Sequence, residues 1–117
     1  QMPHLWPKGK AQRNKGKRGE RLVSGFLTDS GWPTRRSVQF CGRDPNAVAD
    51  LVVEDFPQLA IEVKFRQTWS VDRWLLRQAD ECQAGQLPIL FCKKDNEPLV
   101  VSLYAEDFIK FWRGDFA

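Results

Sequence analysis

Two short apolar runs, Ala47–Val53 and Leu59–Phe65, stand on either side of Glu54-Asp55-Phe56-Pro57-Gln58. Both runs are rich in β-branched residues and a proline-bearing turn segment separates them, so the pattern predicts a hairpin. A lone hairpin is marginal in water and needs more strands or a helix against its apolar face. The flanking sequence offers both. From Lys17 to Ser30, Leu22, Val23, Phe26 and Leu27 recur at helical spacing, and Gly31 followed by Trp32-Pro33 ends that helix. Thr34–Phe40 alternates as a strand and Cys41–Asn46 reads as a polar loop. Ser70 is placed to cap a second helix, Val71–Ala84, closed by Gly85. Pro88–Cys92 and Leu99–Leu103 are two further strands around a turn at Lys93–Pro98. Ala105–Trp112 reads as a last helix, with Glu106 and Asp107 in the turn where the helix dipole favours acids. The expected order is α-β-β-β-α-β-β-α, an α/β domain with a single mixed β-sheet flanked by helices. Residues 1–15 show no periodicity and are expected to form a basic flexible arm ahead of a domain spanning 16–117.

The chain of 117 residues has room for one domain, and 42% hydrophobic with 28% charged residues is the balance of an ordinary globular protein. No apolar run reaches the ~18 residues of a membrane span and no signal-peptide pattern opens the sequence, so an intracellular protein without a membrane partner is expected, in cytoplasm, nucleoid or a phage-infected host. The single histidine, His4, leaves almost no scope for nucleophilic catalysis built on an imidazole. Cys41, Cys82 and Cys92 fit neither a zinc spacing nor a disulfide framework, which agrees with a reducing compartment.

Charge is unevenly spread. Up to residue 43 there are ten basic residues against Glu20 and Asp29, while the remainder carries more acids than bases. A solvated basic tail would alone explain residues 1–15, but Arg35, Arg36 and Arg43 lie beyond any tail. The asymmetry points to a surface for a polyanion.

The polar residues set in apolar patterns are the informative ones. In Ile61-Glu62-Val63-Lys64, Glu62 and Lys64 face one side of a strand and Ile61 and Val63 the other. Asp50 interrupts Ala47–Val53, and a hairpin centred on Phe56 places it opposite Glu62, with Cβ atoms ~4.5–5.5 Å apart. Two carboxylates that close repel unless a proton or cation lies between them. Oxygen ligands so placed suit magnesium, which accepts one or two carboxylates and completes its shell with water and phosphate. Glu20 flanks the apolar face of the first helix, and Gln78 lies on the inward stripe Val71, Leu75, Gln78, Cys82 of the second. Each residue alone has an ordinary structural explanation; E-x-K is common on exposed sheet faces. Their joint order is the specific feature.

That order resembles the PD-(D/E)XK nuclease superfamily. The residues that carry the resemblance are Lys15-Gly16-Lys17-Arg18-Gly19-Glu20, Ala49-Asp50, Ile61-Glu62-Val63-Lys64 and Arg77-Gln78-Ala79, and within the superfamily they look most like the small archaeal and phage Holliday junction resolvases. Ala49 stands where the family name has proline. The resemblance implies a restriction-endonuclease-like core and a magnesium-dependent endonuclease, with manganese as a substitute, acting as a homodimer on branched DNA such as a four-way junction, in recombination and repair. It implies metal ligation by Asp50, Glu62 and the Val63 backbone carbonyl, with Glu20 as a metal or water-shell ligand. Lys64 would orient the attacking water and stabilise charge near the phosphate, and Gln78 would lie near the nucleophile or the metal's water. Lys15, Lys17, Arg18, Arg21, Arg35, Arg36 and Arg43 are the expected DNA contacts, sequence-independent and salt-sensitive. The competing expectations are another nuclease of the superfamily (repair, restriction, nicking or single-strand) and a silent DNA-binding module. The aromatic residues Trp69, Trp74, Phe108, Phe111 and Trp112 look too many for one core face, and part of them are expected in a dimer interface.

Overall fold

The computed structural model describes residues 8–37 and 49–115, with side chains from Lys15 onward. The elements keep the expected order: α1 (Lys8–Asp29), β1 (Thr34–Arg36), β2 (Leu51–Val53), β3 (Leu59–Phe65), α2 (Val71–Glu81), β4 (Leu87–Lys93), β5 (Val100–Ser102) and α3 (Ala105–Arg113). The five strands form one mixed sheet in the order β1-β2-β3-β4-β5. Only β3 and β4 are parallel, paired from Leu59–Leu87 to Phe65–Lys93. Parallel neighbours need a crossover connection, and α2 supplies it.

Alternation along the strands sorts the two faces. Leu59, Ile61 and Val63 of β3 join Leu51, Val53, Leu87, Ile89 and Phe91 beneath Val23 and Leu27 of α1. On the opposite face Leu75 of α2 packs on Leu90 and Cys92, with Trp69, Val71 and Trp74 around them. Glu62 and Lys64 belong by alternation to that second face, at the margin of the helix that covers it. At the end of β3, α1 comes close to the sheet: a Cβ added to buried Gly19 would lie 3.0 Å from the Phe65 ring.

Several boundaries differ from the sequence reading. Helix α1 begins at Lys8 rather than Lys17, so residues 8–15, expected in a flexible arm, are helical. Lys, Ala, Gln and Arg carry helix propensity without any apolar period, and periodicity alone does not detect them. Strand β1 ends at Arg36; the rest of the expected strand and the loop bearing Arg43 lie outside the described residues, as do residues 1–7. Strand β2 is Leu51–Val53, so Asp50 precedes the strand instead of interrupting it. Helix α2 stops at Glu81, three residues early, and Gly85 (φ +87°) serves the turn that follows. Asp80 and Glu81 meet the negative end of that helix with no base in its last turn, which weakens a further turn. Ser70 does stand at the N-cap, without a capping hydrogen bond from its side chain.

Phe111 of α3 packs on Trp32 with ring centroids 5.5 Å apart, while Phe108, Ile109 and Trp112 are exposed, the last by 78%. Between α1 and α3 an apolar trough of about 290 Å3 opens over the core. Among the described residues no helix is long and apolar enough to cross a membrane.

Candidate active site

The site is built where the β2–β3 ladder opens. Leu51 pairs with Ile61, the register expected from a hairpin centred on Phe56. One residue further Asp50 leaves the regular pattern. Its N–H donates to the Ile61 carbonyl at 2.8 Å, its own carbonyl accepts the Ser37 N–H at 2.9 Å, and its Oδ2 accepts the Val63 N–H at 2.8 Å. The carboxylate therefore lies along the β3 backbone next to Glu62, held by the amide of the residue between Glu62 and Lys64.

Glu62 and Lys64 are two residues apart on one face, and Lys64 Nζ stands 3.8 Å from Glu62 Oε2. Their side chains retain 16% and 21% of full exposure, enough for a ligand to reach them but little enough to cost solvation. Burial pushes the Glu62 carboxyl above its ordinary value; Lys64 opposes the shift, while Asp50 and Glu81 add to it and Arg77 offsets part. The Lys64 Nζ also lies 5.9 Å from the centroid of the Trp74 ring of α2. On the same face Cys92 is a buried thiol pushed up to about 11, mainly by desolvation. It has little thiolate character and is a packing residue.

Gln78 is brought to this face but not to the carboxylates. It is 1% exposed, and its Nε2 donates to the backbone carbonyls of Ala60 in β3 and Ile89 in β4, tying the two parallel strands to α2. Its Oε1 is buried with no hydrogen-bond partner among the described residues. Glu20 is held elsewhere: its Oε1 accepts from Arg36 Nε at 2.9 Å, and α1 packs on the other face of the sheet. Among the described residues no group of three His, Cys, Asp or Glu side chains is gathered to hold a metal ion.

The expected DNA contacts divide. Lys17 and Arg21 are exposed on the outer side of α1, and Lys15 and Arg18 line a cleft over the end of β3. Arg35 pairs with Glu54 at 3.1 Å and Arg36 with Glu20. The sequence reading missed Glu81 of α2 and gave Arg77, one of the motif residues, no role at the site; the charges of both reach Glu62. Their signal was the helical spacing Trp74, Arg77, Gln78, Glu81, which continues the stripe already marked by Gln78. Of the five aromatic residues from which part of an interface is expected, Trp69 and Trp74 pack around the small cluster under α2.

Residues 11–115 match the family model described as "Phage putative PDDEXK endonuclease". The chain belongs to this phage PDDEXK endonuclease family. The structure is also similar to that of Archaeoglobus fulgidus Hjc, a Holliday junction resolvase from an archaeal hyperthermophile. The two share 25% sequence identity and a TM-score of 0.52, over 75% of this chain and 76% of that one. No curated protein matches the sequence. The family and fold expected from the motif order thus hold, including the single mixed sheet with its helices.

Proposed function

We propose that this PDDEXK nuclease is a divalent-metal-dependent endonuclease selective for branched DNA, as a Holliday junction resolvase is. The observation that carries the proposal is the meeting of Asp50 with Glu62 and Lys64 at the open end of the β2–β3 ladder. Similarity to the archaeal resolvase supports the choice of substrate.

The donor set fits magnesium or manganese. Asp50 and Glu62 offer hard carboxylate oxygens, and the upward push on Glu62 from burial and from Asp50 is the kind of penalty that a cation relieves. These two side chains would hold the ion, with the Val63 carbonyl as a third donor. When bound, a divalent ion lowers the pKa of coordinated water and neutralises charge on the phosphate. The protein's own part is positional and electrostatic. Asp50, fixed by the Val63 amide, sets the distance between the carboxylates, and Lys64 places its positive charge where the phosphate gains negative charge. Gln78 acts through the β3 and β4 backbone as a positioning residue. Glu20, if released from its pair with Arg36, would offer a further carboxylate to the metal or its water shell. Lys15, Lys17, Arg18 and Arg21, with Arg35, Arg36 and Arg43, track the backbone. Two copies cut paired strands, and the exposed apolar side of α3, with Phe108, Ile109 and Trp112, is the surface available for pairing them.

The test is cleavage of a labelled four-way junction, a linear duplex and a single strand, each with magnesium and with EDTA, and with Asp50→Asn as control. Magnesium-dependent paired nicks at the junction alone are expected. Cutting of duplex or single strand keeps the nuclease and discards the resolvase. Tight junction binding without cutting moves the reading to a silent DNA-binding module.

A further inference from the structure

The sheet carries a second polar recess, on the face away from Glu62 and Lys64. It is a cleft of about 220 Å3 lined by Lys15, Arg18 and Leu22 of α1, Phe65 at the end of β3, Lys93 at the end of β4, and Asp95 in the turn beyond. Three cations and a single acid line it. Lys15 Nζ lies 3.5 Å from Asp95 Oδ1, and Lys93 Nζ lies 6.0 Å from the centroid of the Phe65 ring while donating to the Lys94 carbonyl at 3.2 Å. The walls are well fixed. Phe65 and Lys93 are partners in the parallel ladder, Gly19 rests against the ring, and the Asp95 N–H donates to Gln67 Oε1 at 2.6 Å.

We infer that this cleft seats one phosphate of a nucleic-acid backbone, distinct from the phosphate that is cut. The inference rests on the nuclease reading for the source of that phosphate. A concave, partly apolar recess lined by cations concentrates positive potential more than the same charges on a convex surface. The Phe65 ring is covered by Gly19 and overlain by Lys93, so the recess presents charge and not a stacking platform for a base. Position favours a flanking phosphate: Phe65 directly follows Lys64, and Lys93 directly follows Cys92, the ladder partner of Lys64. A strand crossing the ends of β3 and β4 would meet the carboxylate site on one face and this recess at the next residue. Asp95 is then an internal stand-in anion. It holds Lys15 in the free protein and must be outcompeted when a phosphate enters.

The experiment is fluorescence anisotropy of a labelled four-way junction in EDTA, which stops cleavage, across a series of salt concentrations. Lys93→Gln is expected to weaken binding and reduce the slope of log K against log salt by about 0.9, the loss of one phosphate contact. Asp95→Asn is expected to tighten binding about two- to fivefold, the equivalent of an exposed ion pair. That gain should vanish when Asp95→Asn is combined with Lys15→Gln, because the two act on one charge. Wild-type binding with neither single variant changing affinity or slope overturns the seat and leaves the nuclease reading intact. Failure of the wild type to bind DNA overturns the nuclease reading instead. The seat is then decided by titrating inorganic phosphate and following the amide resonances of Phe65, Lys93 and Asp95. Saturating shifts that are lost in Lys93→Gln uphold it, and a flat titration overturns it.

Discussion

Asp50 Oδ2 accepts the Val63 N–H at 2.8 Å, so the carboxylate proposed to hold the metal also satisfies an amide that the opening ladder leaves behind. Substitution can separate the two roles. Asp50→Asn keeps an acceptor for the Val63 amide and should fold with nearly unchanged stability while losing cleavage. Asp50→Ala removes the acceptor as well and should cost about 1–3 kcal/mol in addition. Urea denaturation beside the cleavage assay measures both, and cleavage retained by Asp50→Asn would sink the site.

The metal-free protein should lose stability as pH rises above about 4.5, the ordinary value for Glu62. Its folded-state pKa is raised, chiefly by burial, so the native state binds the proton more tightly than the unfolded chain does. The stabilisation is complete below 4.5 and is lost as the pH passes through the raised value. Glu62→Gln carries no titrating proton and should lack this component. Melting temperatures of both proteins in EDTA between pH 4 and 8 give the comparison. Magnesium should narrow the difference for the wild type only.

Two glycines of α1 should respond oppositely to alanine. Among the described residues Gly16 has no neighbour within 4 Å of an added Cβ, so Gly16→Ala should stabilise by up to about 1 kcal/mol through helix propensity alone. At Gly19 the same propensity gain meets the Phe65 ring at 3.0 Å, and overpacking of about 1–3 kcal/mol outweighs it. Thermal melts of the two variants give the sign directly. Pairing Gly19→Ala with Phe65→Leu should recover part of the loss.

Glu20 offers a sharper separation between structure and chemistry. Its ion pair with Arg36 is partly exposed, and Glu20→Gln should change stability by no more than about 0.2–1 kcal/mol. Cleavage should fall further than that, and the magnesium concentration for half-maximal rate should rise. An unchanged magnesium titration would confine Glu20 to holding Arg36.

The central hairpin was legible because its signals agree. β-branched runs, a turn at Phe56-Pro57 and strict alternation from Ile61 to Lys64 all specify one register, and the Leu51–Ile61 pair obeys it. Strand Leu59–Phe65 was read to the residue. Helix α1 was half legible, since Val23 and Leu27 mark its buried stripe while its first turns carry no apolar period. Gln78 was visible as an inward polar residue, yet its bonds to the Ala60 and Ile89 carbonyls depend on the parallel crossover, which spacing along one helix does not encode. The recess beside Phe65 depends on the same crossover. Lys93 reads as a turn lysine until β4 is laid beside β3.

Strand β3 holds the core with Leu59, Ile61 and Val63 and the candidate site with Glu62 and Lys64, one residue out of phase. Deleting or inserting a single residue here would exchange the two sets, driving a carboxylate and an ammonium beneath α1 and turning aliphatic side chains out toward α2. Activity and folding would fail together. In this segment the nuclease can change by substitution, one side chain at a time, but not by a shift in length, whereas the connection from Arg66 to Ser70 can lengthen or shorten without reversing either face of the strand.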